Sequence, residues 1–180
     1  MIIQKTRHNI GFRVLDSLIK NSSSPSIDLF AFNKKIDGEL GTISDKEKIY
    51  LLKPSSFMNL SGKPIATAIK YLGIDLANIL IVHDDIDLPF GQIRLSKNSG
   101  PGGHNGIKSA IEYLHSKDFA RLKIGISTAL SRQKIPTEKF VLGKFSSEEE
   151  DELEKIVLSS CECTKSFLKD GLEKTMNNFN

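Results

Sequence analysis

The segment ILIVHDD, residues 79–85, joins a continuous run of apolar side chains to three polar ones. A fully apolar run of this length is typical of a central strand that is covered on both faces of its sheet. Open α/β sheets bind ligands just beyond the carboxyl ends of their strands, which points to the polar residues that follow the run. The segment therefore predicts both a buried strand and a candidate site at its end.

Helical and extended patterns alternate on either side of this segment. The predicted helices cover 9–20, 61–72, 106–115 and 147–170, and the predicted strands cover 38–43, 48–52, 79–82, 92–96 and 121–126. Ser61 is expected to cap the second helix, and Ser146 or Ser147 the last, whose apolar stripe runs from Leu153 to Leu168. Strands that alternate with helices indicate an α/β fold, and without an internal repeat or a clear boundary we predict one domain over 1–180.

The composition argues against several classes of protein. Of the 180 residues, 39% are hydrophobic and 26% charged, as in an ordinary soluble globular protein. No apolar stretch approaches the length of a bilayer span and no secretory signal is recognisable, so we expect a cytoplasmic protein without a membrane partner. The two cysteines, Cys161 and Cys163, point to different sides of a predicted helix, which argues against a disulfide or a metal clip.

Charge is distributed unevenly along the chain. Residues 146–180 carry nine acidic and four basic side chains, whereas residues 1–145 carry 21 basic and 13 acidic ones. A basic body suits a polyanion, and nucleic acid is the commonest partner of that kind. A scattered, solvated basic surface is the alternative interpretation.

The candidate chemistry is that of a histidine and a carboxylate. His8 lies just before the first predicted helix, and a histidine is the usual general base near neutral pH. Such a base needs a carboxylate to hold its tautomer, and Asp84 stands at a strand end where it could do so. A purely structural His8 is the alternative, and Asp84, Asp85 and Asp87 together are a weaker candidate for a metal site because their spacing fits no calcium loop.

The loop NSGPGGHNG, residues 98–106, opens the third predicted helix. Its glycines let a ligand approach the backbone, and the first N–H groups of the helix favour an anion, although a plain flexible loop fits the same residues. His104 and Asn105 add a polar pair at its tip. The sequence contains neither a G-x-S-x-G elbow nor a phosphate-binding P-loop, so mechanisms built on those motifs have no support.

Several motifs, taken in order, resemble the bacterial-type peptidyl-tRNA hydrolase family. They are TRHNIG at 6–11, KPSSFMNLSG at 53–62, HDDIDLPFG at 83–91, GPGGHNGIKS at 100–109, FVLGKFS at 140–146 and MNNFN at 176–180. The resemblance implies an α/β domain with a twisted mixed central sheet flanked by helices. It also implies hydrolysis of the ester between a peptide and the terminal ribose of tRNA, with no metal or cofactor.

The resemblance further implies roles for individual residues. His8 would be the general base and Asp84 the residue that holds it. Asn59 and Asn105 would bind the peptide and the tRNA 3′ end, and Phe57 and Met58 would line the site. A basic surface would hold the acceptor stem of the substrate, and the protein is expected to act as a monomer. Our candidates for that surface are Lys97, Lys108, Arg121, Lys123, Arg132 and Lys134.

The sequence also departs from the family pattern. Only MIIQK precedes Thr6, so we expect the usual first strand of the family and its G-L-G-N-P-G-like turn to be absent. Ile3 replaces a tyrosine, and Ser96 stands where a basic residue is common in the family. Either the start codon has been assigned too late, which we favour, or the chain is short and its activity is in doubt. A non-catalytic RNA-binding module on the same fold is therefore the alternative function.

Overall fold

The computed structural model describes residues 6–44, 47–128 and 135–180. Its strands are β1 (Ser26–Asn33), β2 (Gly38–Ser44), β3 (Lys48–Pro54), β4 (Leu80–Pro89), β5 (Ile93–Lys97) and β6 (Ala120–Ser127). Its α-helices are α1 (Ile10–Lys20), α2 (Gly62–Leu72), α3 (Asn105–Leu114), α4 (Thr137–Leu142), α5 (Ser147–Asp170) and α6 (Leu172–Phe179). The fold class is α/β, with a mixed central sheet flanked by helices, as predicted. No helix in the described ranges is long and apolar enough to cross a membrane.

The chain forms two compact units. The first consists of the described residues within Met1–Ser17, Leu80–Ser96 and Ala120–Asn180, and the second of those within Leu18–Ile79 and Lys97–Phe119. The prediction of a single domain over 1–180 stays a prediction.

The sheet of the first unit has the strand order β4-β6-β5. β4 and β6 run parallel, with Leu80 opposite Ala120 and Asp85 opposite Gly125. Apart from Lys123 and Ser127, every residue of β6 is buried. Gly125 is required at its position because a Cβ there would overlap the carbonyl oxygen of Pro89. β6 therefore forms the centre of this sheet.

The run ILIV was expected to be a central strand covered on both faces, and in the part of the chain that the structure describes it is not. Among the described strands β6 lies in the middle, and Leu80, Ile81 and Val82 in β4 are only half-buried. The ladder with β6 continues through His83, Asp84 and Asp85, so the strand reaches Pro89. The polar residues thus lie within β4 and not beyond its end.

Helix α5 has the predicted bounds. Its N-terminus carries a capping box in which the Ser146 side chain accepts from the Glu149 N–H and the Glu149 side chain accepts from the Ser146 N–H. Its predicted apolar stripe is buried except at Leu168, which is 42% exposed. Cys161 and Cys163 are buried and unbridged, and burial raises the pKa of the Cys163 thiol to about 12.

Helices α4 and α6 of the first unit were not predicted. The side chain of Asn180, just beyond α6, accepts from the Leu95 N–H at 2.7 Å and donates to the Leu95 carbonyl at 3.0 Å. An amide side chain thus bonds the backbone of β5 as a neighbouring strand would.

The second unit contains the antiparallel sheet β1-β2-β3 and the helices α2 and α3. The predicted strands at 38–43 and 48–52 are confirmed, whereas β1 was not predicted. Gly73 ends α2 in the left-handed conformation, with φ 67°. Ser61 occupies the cap position but makes no side-chain capping bond, because its backbone is already helical (φ −60°, ψ −25°).

Candidate active site

His8 lies in a short turn that leads into α1. A 3₁₀ helix spans Arg7–Asn9, and the N–H of Asn9 donates to the Thr6 carbonyl at 3.1 Å. Gly11 follows in the first turn of α1, where a Cβ would overlap the carbonyl oxygen of Val82 in β4. The missing side chain lets the start of the helix lie directly against β4. This close approach brings His8 to the middle of that strand.

His8 and Asp84 form a hydrogen-bonded pair. The distance from His8 Nδ1 to Asp84 Oδ1 is 2.7 Å, and the two side chains are 12% and 2% exposed. An ionised carboxylate only accepts hydrogen bonds, so Nδ1 carries the proton and Nε2 of a neutral ring is left as a base. The pair has the arrangement of a general base with its orienting carboxylate. The structure thus joins two residues that are 76 positions apart.

The residues on either side of Asp84 have other partners. His83 is buried, and its Nδ1 lies 2.7 Å from the carbonyl oxygen of Asp84. The Asp85 carboxylate binds Lys123 Nζ at 2.9 Å and the Asp87 N–H at 2.8 Å. Among the described contacts, the carboxylates of Asp84 and Asp85 therefore engage different groups, which does not favour a shared metal site.

The pKa of Asp85 reflects these contacts. Burial is the largest single influence and by itself would raise the pKa. Together, the hydrogen bonds from Lys123 and the Asp87 N–H and the electrostatic influence of Lys123 and His83 outweigh burial and hold the pKa of Asp85 below its ordinary value.

The second unit holds the residues expected to bind substrate. Phe57, Met58 and Asn59 lie in and beside the 3₁₀ turn Met58–Leu60, and Asn105 is the first residue of α3. Phe57 is 79% exposed, and Asn59 and Asn105 are also exposed.

Close contacts join the turn Met58–Leu60 and the start of α2 to α3. A Cβ at Gly106 would lie 2.6 Å from Met58 Sδ, and the N–H of Gly62 donates to Ser109 Oγ at 3.0 Å. His104 caps α3, because its Nδ1 accepts from the Ile107 N–H at 3.2 Å. The residues of this unit that are predicted to bind substrate therefore share one neighbourhood, and His104 contributes the N-terminal cap of α3 beside them.

The predicted basic surface is only partly consistent with the structure. Lys108 is exposed, and Lys97 is exposed with its Nζ 3.2 Å from Asp118. Arg121 was wrongly placed on a surface: it is 1% exposed, because it lies in the buried central strand β6, and burial lowers its pKa. Lys123 is half-buried and paired with Asp85. Arg132 and Lys134 lie outside the described residues.

Sequence reasoning passed over Arg7, the residue next to His8. Its side chain bonds the Lys144 carbonyl and the Glu149 carboxylate, and both partners are more than 130 positions away. No periodic pattern in the sequence marks a single arginine beside a histidine. Only its place within the TRHN motif could have indicated a role for Arg7.

Comparisons with known proteins identify relatives of this chain. The sequence model of the family described as "Peptidyl-tRNA hydrolase" matches residues 3–180. The peptidyl-tRNA hydrolase of Citrifermentans bemidjiense is 37% identical over 97% of this chain and 89% of its own length. That of Sulfurovum sp. is 40% identical over 95% of this chain and 85% of its own length. A crystal structure of peptidyl-tRNA hydrolase from Acinetobacter baumannii superimposes with a TM-score of 0.87 at 30% identity, covering 99% of this chain and 88% of that one. The chain belongs to the peptidyl-tRNA hydrolase family.

Proposed function

We propose that this protein hydrolyses the ester bond between the peptide and the tRNA of peptidyl-tRNA, which releases the tRNA for reuse in translation. Family membership over nearly the whole chain supports the reaction. The single structural observation that carries it is the His8–Asp84 pair, with Nδ1 2.7 Å from Oδ1.

In the proposed mechanism His8 activates water. Nε2 takes a proton from the water as its oxygen attacks the ester carbonyl, and Asp84 stabilises the imidazolium that forms. The tetrahedral intermediate then collapses, and the proton passes to the departing ribose oxygen. General-base catalysis of this kind contributes roughly 10²–10⁴-fold. An ester is activated enough that this step needs neither a metal nor a cofactor.

The second unit supplies the proposed substrate contacts. Asn59 and Asn105 present exposed amides, which pair with the C=O and N–H of any peptide without reading its side chains. Phe57 and Met58 offer apolar surface beside them. Lys97 and Lys108 are the described, exposed members of the basic surface proposed to hold the acceptor stem.

The setting follows from the substrate. Peptidyl-tRNA arises during translation, so we place the activity in the cytoplasm. We also propose that the protein acts as a monomer.

The decisive experiment measures release of tRNA from an N-blocked aminoacyl-tRNA. We expect Asp84→Asn to lower kcat by roughly 10²–10⁴-fold, because an amide in place of the carboxylate no longer fixes the His8 tautomer. His8→Ala should abolish turnover while tRNA binding remains. Asp87→Asn, an exposed aspartate of the same strand, is the matched control and should leave kcat unchanged.

Two results would contradict the proposal. An inactive wild-type protein that is folded and monodisperse would contradict the function. Full activity of Asp84→Asn or His8→Ala would contradict the roles of these residues while leaving the function intact.

A further inference from the structure

Arg7 precedes His8 and has a buried, polar environment. The residue is 8% exposed, and its guanidinium donates to the carbonyl oxygen of Lys144 and to the carboxylate of Glu149. The Glu149 side chain is itself only 11% exposed. A buried charge pair holds its geometry tightly, because breaking it leaves a charge without compensation.

Aromatic rings and backbone bonds complete this environment. The Arg7 guanidinium carbon lies 4.5 Å from the centre of the Phe140 ring and 5.0 Å from that of Phe145. The N–H of Arg7 donates to the Gly143 carbonyl at 2.9 Å, and Thr6 forms an isolated β-bridge with Lys144. The segment before His8 is therefore fixed through both its side chain and its backbone.

Glu149 serves two elements at once. Its Oε2 accepts from the Ser146 N–H at 2.6 Å, which is half of the capping box of α5, and the same oxygen accepts from Arg7. The first turn of α5 is thus joined directly to the turn that carries His8.

We infer that Arg7, held by Glu149, is a positioning residue for His8, an inference that rests on the proposed function. Arg7 and His8 are adjacent residues of the short turn Arg7–Asn9. A displacement of the Arg7 backbone therefore also displaces His8. Catalysis depends steeply on such positions, since a displacement of about 1 Å can cost roughly 10²-fold in rate.

The geometry requires arginine at this position. A planar guanidinium can bond a carbonyl and a carboxylate simultaneously while it stacks on aromatic rings. The lysine ammonium is a compact point charge that cannot reproduce this arrangement. Arg7→Lys therefore keeps the positive charge but loses the simultaneous hydrogen bonds and the stacking on the rings.

The test compares Arg7→Lys with Arg13→Lys. Arg13 also pairs with the first turn of α5, through Glu150 at 2.7 and 2.8 Å, but that pair is more exposed and its arginine lies in α1. We expect Arg7→Lys to lower kcat by about 10- to 100-fold with little change in KM. Arg13→Lys should leave both parameters unchanged.

A spectroscopic measurement separates positioning from general stability. The ¹⁵N chemical shifts of the His8 ring report which nitrogen carries the proton, and they are read on the free protein. In wild type and Arg13→Lys we expect the Nδ1–H tautomer alone, and in Arg7→Lys a mixture of the two tautomers. Arg7→Lys with unchanged ring signals would overturn the inference, whatever its kcat.

Glu149→Gln tests the same link from the other side. It keeps an accepting oxygen but removes the charge, so we expect a smaller loss of kcat with the same direction of change in the ring signals. If Arg7→Lys does not fold, Glu149→Gln provides the test. Unchanged ¹⁵N signals of the His8 ring in Glu149→Gln would then overturn the inference. An inactive wild type would contradict the proposed function alone, because the ring signals need no turnover.

Discussion

Asp84 and Asp85 are neighbours in the chain, yet their carboxylates bind different side chains. Asp84 bonds His8, whereas Asp85 bonds Lys123 on the adjacent strand. Successive side chains of a strand point to opposite faces, so one strand holds both contacts without crowding them. The Asp85–Lys123 pair thus joins β4 to β6 beside the proposed catalytic pair.

This pair predicts a pH dependence of stability. The pKa of Asp85 in the folded protein lies below its ordinary value of 3.8, so its contribution is fully present above that pH and is lost as the pH falls through the folded pKa. Asp85→Asn should therefore be less stable than wild type at about pH 6, and the difference should shrink below about pH 4. Urea unfolding across this range measures it. A difference that is independent of pH would contradict the assignment, and Asp87→Asn is the control.

Single residues show what a sequence can and cannot predict. His8 and Asp84 were found because a histidine and a carboxylate have recognisable chemistry. Arg121 was misplaced because charge in a sequence says nothing about burial, and this arginine lies in β6. The Arg7–Glu149 link is invisible before folding, since it joins residues 142 positions apart.

Among the elements, periodic helices were predicted well and short or irregular ones were missed. Helix α5 has a capping box and a long apolar stripe, and both of its bounds were predicted. In β1 the register shifts between Asp28 and Ala31, which interrupts the alternation that identifies a strand. Helix α6 has only eight residues, so its apolar side chains at helical spacing, Leu172, Met176 and Phe179, form too short a pattern to identify a helix.

The cap of α5 gives a prediction at this scale. Ser146→Ala removes the side chain that accepts from the Glu149 N–H at 3.2 Å, and it should lower the free energy of unfolding by about 0.5–2 kcal/mol. Ser147→Ala is the matched control, because Ser147 is the first residue of the helix and is exposed. Urea denaturation compares the variants. An equal loss in both would mean that the capping bond does not stabilise the helix.

At the scale of the whole molecule, residues that pack together come from distant parts of the sequence. The first unit combines residues from three separate stretches of the sequence, and the second from two. Local patterns identify strands but do not order them in a sheet, which is why ILIV was taken for the centre that β6 occupies. The residue types suggested a pairing of His8 with Asp84, and the family resemblance implied the same pairing.

The distribution of charge predicts a salt dependence of substrate binding. Affinity falls as salt rises, and each phosphate contact makes the slope of log affinity against log salt concentration steeper by roughly 0.7–0.9. Lys108→Ala should therefore raise KM at low salt and reduce this slope by up to about one, with kcat unchanged. Lys155→Ala, an exposed lysine on the acidic helix α5, is the control. Equal slopes for wild type and Lys108→Ala would remove Lys108 from the tRNA surface.

The shared carboxylate of Glu149 has a consequence for how this sequence can change. One oxygen serves both the cap of α5 and the guanidinium of Arg7, so a substitution at position 149 changes both contacts at once. We therefore expect substitutions at positions 7 and 149 to be epistatic: the effect of each depends on the residue present at the other. A replacement of Glu149 that keeps the cap of α5 but offers no carboxylate is then expected to be tolerated only together with a different residue at position 7.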